Sequence, residues 1–469
     1  MFVKQWDRDI CINCMTCVKV CPNDNLVEFN HKPTRAKINT CTGCNHCTTM
    51  CPTGAIYHIV VSDEGEYGGW NPAVIQRIAS MSKNGKHVVE AKGSKRNFIN
   101  LNDLIFLPAQ IQKSPRLEDE PVHTEVTIGP RSKRPLHLNT PIMIGAMSFG
   151  ALSREAKIAL AQASARVGSA ANSGEGGMLP EERAAASQYI LQYSTGRFGI
   201  NDEVLQQADA IEIKLGQGAK PGMGGHLLGP KVTVEIAEVR GIMPGTNAIS
   251  PSRHLDIDTP QELGERIEQL REKTGGVPIG IKITGGHIER DLQYLIDGTI
   301  RPDFLVIDGG EGGTGAAPVV AKDNVALPLL YSLSKVVDIL TQSGLKESIS
   351  IVAAGGMKNS EDFAKAIALG ADAVYTAGSL KIAMGCIYCR ACHTGKCPTG
   401  ICTQNKRLRK LHFDIERATD GVSNFITAAT GEIADLTRIV GKRDIAELNR
   451  DDLFSLTETA SQITGIRHI

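Results

Sequence analysis

The chain is poor in aromatic residues: Phe, Trp and Tyr together make up 4% of its 469 residues. It has no excess of either charge, with 51 Lys and Arg against 51 Asp and Glu. Without a basic surface interleaved with aromatics, no nucleic-acid partner is expected. No apolar run approaches the roughly 20 residues needed to cross a bilayer, so no membrane partner is expected either. The opening stretch, Met1-Phe2-Val3-Lys4-Gln5-Trp6-Asp7-Arg8, lacks an apolar core, and no signal peptide is expected there. Low-complexity tracts are absent. What the chain has in abundance is cysteine, thirteen residues in three tight groups.

The first two groups read Cys11-x2-Cys14-x2-Cys17-x3-Cys21-Pro22 and Cys41-x2-Cys44-x2-Cys47-x3-Cys51-Pro52. This is the bacterial ferredoxin run, written twice. Iron–sulfur clusters need soft, deprotonated ligands, and three cysteines on a tight loop hold three irons of a cubane. The fourth, before the proline, reaches across to the other cluster. One 4Fe-4S cluster is therefore assigned to Cys11, Cys14, Cys17 and Cys51, and a second to Cys41, Cys44, Cys47 and Cys21. A zinc site closes with four ligands and explains this eightfold pattern poorly. Thiolates at this density imply a cytoplasmic, low-oxygen setting.

Four segments are expected. Residues 1–60 form a small α+β ferredoxin-like domain. Residues 61–135 form a linker, starting at Ser62–Gly69, and a proline-punctuated lead-in. Residues 136–430 form the main domain, and 431–469 a helical extension. In the main domain, apolar runs alternate with helical stretches. The runs are Pro141–Ala146, Gly168–Asn172, Ala210–Leu215, Pro278–Ile283, Asp303–Ile307, Ile349–Ala354 and Ala371–Thr376, with Thr246–Ser250 as a weaker eighth. Helices are expected over Ser153–Arg166, Pro260–Thr274, Leu327–Ser343 and Ser360–Leu369. Continuous apolar strands alternating with helices indicate a parallel sheet covered on both faces. Eight such units predict an α/β fold of the (β/α)8 barrel type, with an open doubly wound sheet as the competitor.

In such a barrel the active residues follow the strands. Ala146-Met147-Ser148, Ser173 with Glu175, Lys214 with Gln217 and Lys220, Lys282, Asp308-Gly309-Gly310, Gly355-Gly356 and Ala377-Gly378 all stand at such positions. Gly355-Gly356 precedes the helix start Asn359-Ser360-Glu361, which favours a phosphate. With iron–sulfur clusters upstream, the expected phosphorylated cofactor is FMN, which joins one-electron to two-electron chemistry. Gly310-x-Gly312-x-x-Gly315 formally matches a dinucleotide fingerprint. It leads into Ala316-Ala317-Pro318 rather than a helix, and is read as a glycine-rich ligand loop. The third cysteine group, Cys386-x2-Cys389-x2-Cys392-x4-Cys397-x4-Cys402, follows the last strand and is expected beside the flavin. The basic run Lys406–Lys410 reads as a solvated helix face.

Gly145–Ser153, Asn172–Gly177, Ile213–Gly222, Asp308–Ala316 and the segment from Gly385 through Cys397-Pro398-Thr399-Gly400 together resemble the FMN domain of glutamate synthase. The match runs from about Pro141 to Lys410 with the motifs in order, and the N-terminus resembles the split, archaeal-type members. The resemblance implies a 3Fe-4S cluster on Cys386, Cys392 and Cys397. Cys389 and Cys402 depart from that pattern. They either add a fourth ligand, making the site 4Fe-4S, or pack as small hydrophobes, and packing is preferred. The implied reaction is reductive amination: 2-oxoglutarate and ammonia form 2-iminoglutarate, which hydride from FMN reduces to glutamate. Lys214, Lys220 and Lys231 are then candidates to hold the dianion. Gln217 would orient it, Glu175 would exchange a proton with the forming amine, and Lys282 would stabilise reduced flavin. Thr284-Gly285-Gly286-His287 departs from the family form.

The glutaminase half of that family uses an N-terminal cysteine; this chain begins Met1-Phe2 and carries no nicotinamide-binding domain. A separate glutaminase subunit or free ammonia, and a protein electron donor such as ferredoxin or a flavoprotein subunit, are therefore expected within a hetero-oligomer. Two further readings stand beside this one: a related enzyme acting on methylamine to make N-methylglutamate, and a relay subunit without chemistry of its own.

Overall fold

The computed structural model describes residues 2–60, 74, 77, 78, 81, 82 and 85–468. The expected linker start, Ser62–Gly69, lies outside the described residues. Near the N-terminus, Phe2–Trp6 pairs antiparallel with Ile56–Val60, and Leu26–Phe29 pairs with Lys32–Arg35. Short helices at Thr16–Lys19 and His46–Thr49 follow the two cysteine loops. Cys17, Cys47, Leu26 and Ile56 form a small buried core, too little to stabilise a unit of this size without added cross-links such as bound clusters.

The large domain is an eight-stranded parallel sheet rolled into a barrel. Its strands, numbered along the chain, are β1 Ile142–Ile144, β2 Ala170–Asn172, β3 Gln188–Tyr193, β4 Ala210–Lys214, β5 Ile279–Thr284, β6 Phe304–Asp308, β7 Ser350–Ala354 and β8 Ala373–Thr376. Each strand pairs in parallel with the next from β2 to β8, and β8 pairs with β1. No ladder joins β1 to β2. That seam is crossed by Asn139 N–H to the Gly168 carbonyl at 2.9 Å and by Ser169 Oγ to the Ile142 carbonyl at 2.6 Å. The (β/α)8 expectation holds.

Seven of the eight expected strands are barrel strands. The eighth is corrected. Thr246–Ser250 contributes Ala248–Ile249 to a two-stranded hairpin with His226–Leu227, outside the barrel. The true third strand, Gln-Tyr-Ile-Leu-Gln-Tyr at Gln188–Tyr193, was missed because polar atoms at both ends interrupt its apolar signal. Those atoms are satisfied within the barrel: Gln192 Nε2 donates to Glu212 Oε1 at 2.5 Å, and Tyr189 OH to Glu182 Oε2 at 3.1 Å.

The lead-in is more ordered than its prolines suggest. Val126–Ile128 and Leu136–Leu138 form a hairpin. Its Ile128, Leu136 and Leu138 pack with Met143, Ile190, Phe304 and Val352 from the barrel interior, closing that end. Val89–Lys92 pairs with Thr314–Pro318, so the glycine-rich loop opens into a strand and not a helix. The helix Ile415–Ile439 runs through residue 430, so the main domain and the terminal extension share one element. In the basic run, Arg409 is buried between Glu155 and Glu235 at 3.3 and 3.7 Å, unlike the solvated face expected there.

Lys157, on the helix Arg154–Arg166, is buried against the barrel and paired with buried Glu182 at 2.7 Å. Its ammonium also donates to the carbonyls of Met147, Asn172 and Ser173 at 2.5, 3.0 and 3.1 Å. One cation thus fixes the chain just beyond β1 and β2. Lys157→Met should leave Glu182 and three carbonyls without it. Losing one partner of a buried pair costs about 3–5 kcal/mol, so the melting temperature should fall by several degrees, while Arg166→Met at the solvent-exposed pair with Asp420 should hardly move it.

Candidate active site and iron–sulfur centres

The strand ends at the open mouth of the barrel surround a cavity of about 520 Å³. Its wall includes Ala146, Met147 and Ser148 after β1, Glu175 after β2, Lys214, Gln217 and Lys220 after β4, and Lys282 on β5. Asp308, Gly355, Gly356, Ala377 and Gly378 complete the far side, and Lys231 reaches in from the loop after β4. Of the expected site residues, Ser173, Gly309 and Gly310 do not line it. The Ser173 hydroxyl accepts from Gln192 N–H at 2.8 Å and donates to the Gly174 carbonyl. Gly309 and Gly310 donate backbone N–H groups to the Ala354 and Leu327 carbonyls. All three shape the wall from behind it.

Lys214 Nζ lies 2.7 Å from Glu175 Oε2, and Ser250 Oγ donates to the other carboxylate oxygen. Burial alone would raise the Glu175 carboxyl; Lys214, Ser250 and Lys220 outweigh it and hold it at about 2. Burial, with Lys214 nearby, brings Lys220 down to about 8 against the pull of Glu175. On the next strand, where Lys282 is the register partner of Lys214, Lys282 Nζ pairs with Asp308 Oδ2 at 3.1 Å across adjacent strands. Burial opposes the charge on Lys282, but Asp308 and Glu212 raise its pKa nonetheless. Lys231 is already engaged: its ammonium donates to the Cys392 carbonyl at 3.0 Å.

Sequence reasoning missed four groups here. Arg240 ends the helix Val234–Arg240, donates to the Phe149 carbonyl at 2.8 Å and leaves its Nε unpartnered in the cavity wall. Gln192 and Ser250 lie on elements that the strand reading misplaced. Glu311, whose carboxylate accepts from Leu329 N–H, is pushed up to about 7 by burial; its place inside Gly309–Gly315 was the only available hint.

Gly355 and Gly356 have φ of +89° and +82°. A Cβ on Gly355 would stand 2.5 Å from the Gly309 nitrogen. The two glycine loops therefore touch backbone to backbone, which no other residue permits.

Cys11, Cys14, Cys17 and Cys51 line one small cavity with Trp6 and Ile56. Cys51 faces Cys14 and Cys17, while Cys21 faces Cys41 and Cys47. These are the two crossed sets that the spacing suggests. The third group sits between this domain and the main cavity. Asn23 Nδ2 and Thr42 Oγ1 each donate to the Cys389 carbonyl at 3.1 Å. Arg390 returns a bond to the Thr42 carbonyl, and Lys396 pairs with Asp24 at 3.1 Å. Cys392 and Cys402 line the main cavity itself.

Comparison with known proteins agrees with this layout. The conserved region in glutamate synthase matches residues 72–443, and a 4Fe-4S dicluster domain matches residues 10–56. The chain is 35% identical to the archaeal-type NADPH glutamate synthase of Thermotoga maritima, over 99% of this chain and 97% of that one. It is 34% identical to the archaeal NADPH glutamate synthase of Archaeoglobus fulgidus, over 99% and 96%. A segment covering 71% of the chain is 44% identical to the Methanocaldococcus jannaschii protein of that name, covering 66% of it. Among solved structures, flavocytochrome b2 with sulfite bound superposes with a TM-score of 0.51 at 17% identity, over 79% of this chain and 82% of that one. This last likeness concerns the barrel fold alone.

Gly355→Ala should force the β6 and β7 loops apart at a position of positive φ. A residue held in that region costs on the order of 1–3 kcal/mol. The expected outcome is a lower melting temperature together with weakened flavin retention on gel filtration, whereas Gly344→Ala, also at positive φ but with open space around it, should lower stability only.

Proposed function

The chain belongs to the glutamate synthase family, and from that membership we propose that it is the iron–sulfur flavoprotein subunit that reduces 2-iminoglutarate, formed from 2-oxoglutarate and ammonia, to L-glutamate. It is an oxidoreductase acting on a CH–NH2 group. The observation that carries this reading is the shared cavity: cysteines of the third group, the glycine loops and the Glu175–Lys214–Lys220 cluster all open into one space. A relay subunit has no need for that last cluster. The relatives bear the name glutamate synthase, which gives the methylamine reading no support.

The residues present suit FMN. Backbone N–H groups at Gly356 and Ala377-Gly378, with Lys358 and Lys381 in the same wall, offer a phosphate both dipoles and charge. Lys282 is proposed to offset the negative charge of reduced flavin. Bound there, FMN supplies the hydride and accepts electrons one at a time. Two 4Fe-4S clusters are proposed on the crossed cysteine sets, with a third cluster in the loop from Cys386 to Cys402.

The substrate is a dianion, and the cationic side of the cavity suits it. Lys214 is neutralised by Glu175, which leaves Lys220 and Arg240 as the carboxylate-binding groups of this wall. Gln217 orients the chain between them. Lys231 acts as a positioning residue, tied to the cysteine loop. Hydride addition to the imine carbon leaves the nitrogen one proton short. Glu175, held at about 2, is ionised and a poor donor; Lys220, at about 8, can supply that proton near neutral pH. Glu175 is then the acceptor that orients the nitrogen. This revises the expectation that Glu175 exchanges the proton.

Ammonia is proposed to come from a separate glutaminase subunit or from free ammonium, and electrons from ferredoxin or a flavoprotein subunit, in a hetero-oligomer. Among the described residues no helix is long and apolar enough to cross a membrane. The density of thiolate ligands supports a reducing, cytoplasmic setting.

The test is an anaerobic single-turnover reaction of the reduced chain with 2-oxoglutarate and ammonium. Glutamate should form in step with flavin reoxidation, and faster than N-methylglutamate forms from methylamine. Reoxidation without amino-acid product would overturn the reading. The pH dependence is also fixed in sign. Lys220 is charged below its pKa, so 2-oxoglutarate should bind more weakly as the pH rises through about 8. Lys220→Met should weaken binding and abolish that inflection.

A further inference from the structure

The loop Cys386–Cys392 repeats the left-handed turns of the two cluster loops of the N-terminal domain. In those loops the residues flanking the middle cysteine are both left-handed: Asn13 and Met15 at φ 52° and 59° around Cys14, and Gly43 and Asn45 at 73° and 59° around Cys44. Around Cys389 the flanking residues are Tyr388 and Arg390, at 57° and 59°. Neither is glycine or asparagine, so nothing in their own chemistry favours that conformation. A helical turn follows in all three: Thr16–Lys19, His46–Thr49 and Cys392–Thr394.

The hydrogen bonds repeat as well. The Thr16 N–H points at the Cys14 sulfur and the Ala391 N–H at that of Cys389, each two residues beyond the middle cysteine. The remote ligand is also copied. Cys51-Pro52-Thr53-Gly54 recurs as Cys397-Pro398-Thr399-Gly400. Thr53 Oγ1 lies 3.7 Å from Cys51 Sγ, and Thr399 Oγ1 lies 3.4 Å from Cys397 Sγ. Gly54 and Gly400 are both left-handed and donate to the carbonyl of their cysteine. Each sulfur receives N–H groups from the second and fifth residues beyond it, Thr53 and Ile56 in one copy, Thr399 and Cys402 in the other.

This correspondence separates the two extra cysteines. Cys389 stands where Cys14 and Cys44 stand, as the middle ligand of a cubane loop. Cys402 stands where Ile56 stands, an apolar wall of the first cluster cavity, and its thiol borders the Cys392 and Cys397 sulfurs. We propose that the third centre is a 4Fe-4S cubane held by Cys386, Cys389, Cys392 and Cys397, with Cys402 as a packing residue. A three-iron cluster is a cubane with one corner missing; here the ligand for that corner is supplied. The sequence reading preferred packing for both cysteines, and for Cys389 the proposal departs from it on the backbone angles. The proposal rests on the reading that this loop holds an iron–sulfur cluster.

The test is EPR and 57Fe Mössbauer spectroscopy on the full chain, assembled anaerobically with ferrous iron and sulfide, then mildly oxidised. An oxidised 4Fe-4S cluster is diamagnetic, whereas an oxidised three-iron cluster is paramagnetic. The wild-type chain should show no three-iron signal, Cys389→Ala should show one stoichiometric with the chain, and Cys402→Ala should match wild type. A stoichiometric three-iron signal in wild type that persists after incubation with ferrous iron and reductant overturns the proposal. So does a Cys389→Ala spectrum identical to wild type. Cys392→Ala separates the two levels: iron content equal to wild type in that variant means the loop holds no cluster, and the underlying reading fails. The wild-type spectrum decides the matter even where a variant fails to fold.

Discussion

The junction between the N-terminal cysteine domain and the barrel centres on one carbonyl oxygen, with the Arg390–Thr42 and Lys396–Asp24 contacts beside it. The Cys389 carbonyl accepts from Asn23 Nδ2 and Thr42 Oγ1 at once. Asn23 lies two residues after Cys21, and Thr42 follows Cys41 directly, so both donors sit on loops of the second crossed cysteine set. Their acceptor lies inside the third cysteine loop, which in turn forms part of the main cavity wall. The proposed electron path demands close, fixed approach between centres, and these bonds hold the two loops together. The small N-terminal core could not do so by apolar contact alone.

The barrel answers a second constraint, which is to keep many charges in one half-buried space without mutual cancellation. Glu175, after β2, pairs with Lys214 on β4 over the end of β3, and Lys282 pairs with Asp308 across neighbouring strands. Beneath them Glu212, inside the barrel, accepts from Gln192 and Asn172. Paired and hydrogen-bonded, these groups can be buried at tolerable cost. Lys220 and Arg240 are left without a salt bridge of their own, facing the same cavity. On that imbalance rests the proposed affinity for a dianion, while the Lys157 ammonium holds the surrounding loops in place.

Much of this was legible in the sequence because the relevant signals are local. Cysteine spacing gave both ferredoxin sets, since a cubane loop is a matter of a few residues. Seven barrel strands were legible because strands covered on both faces are continuous apolar runs. Gln188–Tyr193 was not, since Gln192 and Tyr189 are satisfied by Glu212 and Glu182, and Gln188 and Tyr193 by the His137 carbonyl and Arg266, partners distant in sequence or hidden on a helix. Arg240 and Ser250 were invisible for the same reason: their place in the cavity comes from how a hairpin and a helix fold back over β4. Lys231 was legible as a cation near the site, but its engagement with the Cys392 carbonyl depends on a loop some 160 residues away. The middle cysteine of the third loop shows the converse. Its spacing was plain, and only the backbone angles at Tyr388 and Arg390 gave it a meaning.

The central claim is that the N-terminal clusters feed the cavity through the docked cysteine loop. The most direct measurement is the rate of flavin reduction by a one-electron protein donor, followed by stopped flow in the full chain and in an Asn23→Ala, Thr42→Val variant of equal iron and flavin content. The account predicts markedly slower flavin reduction in the variant, with reduction of the N-terminal clusters unchanged. Equal flavin reduction rates in the two proteins would contradict it.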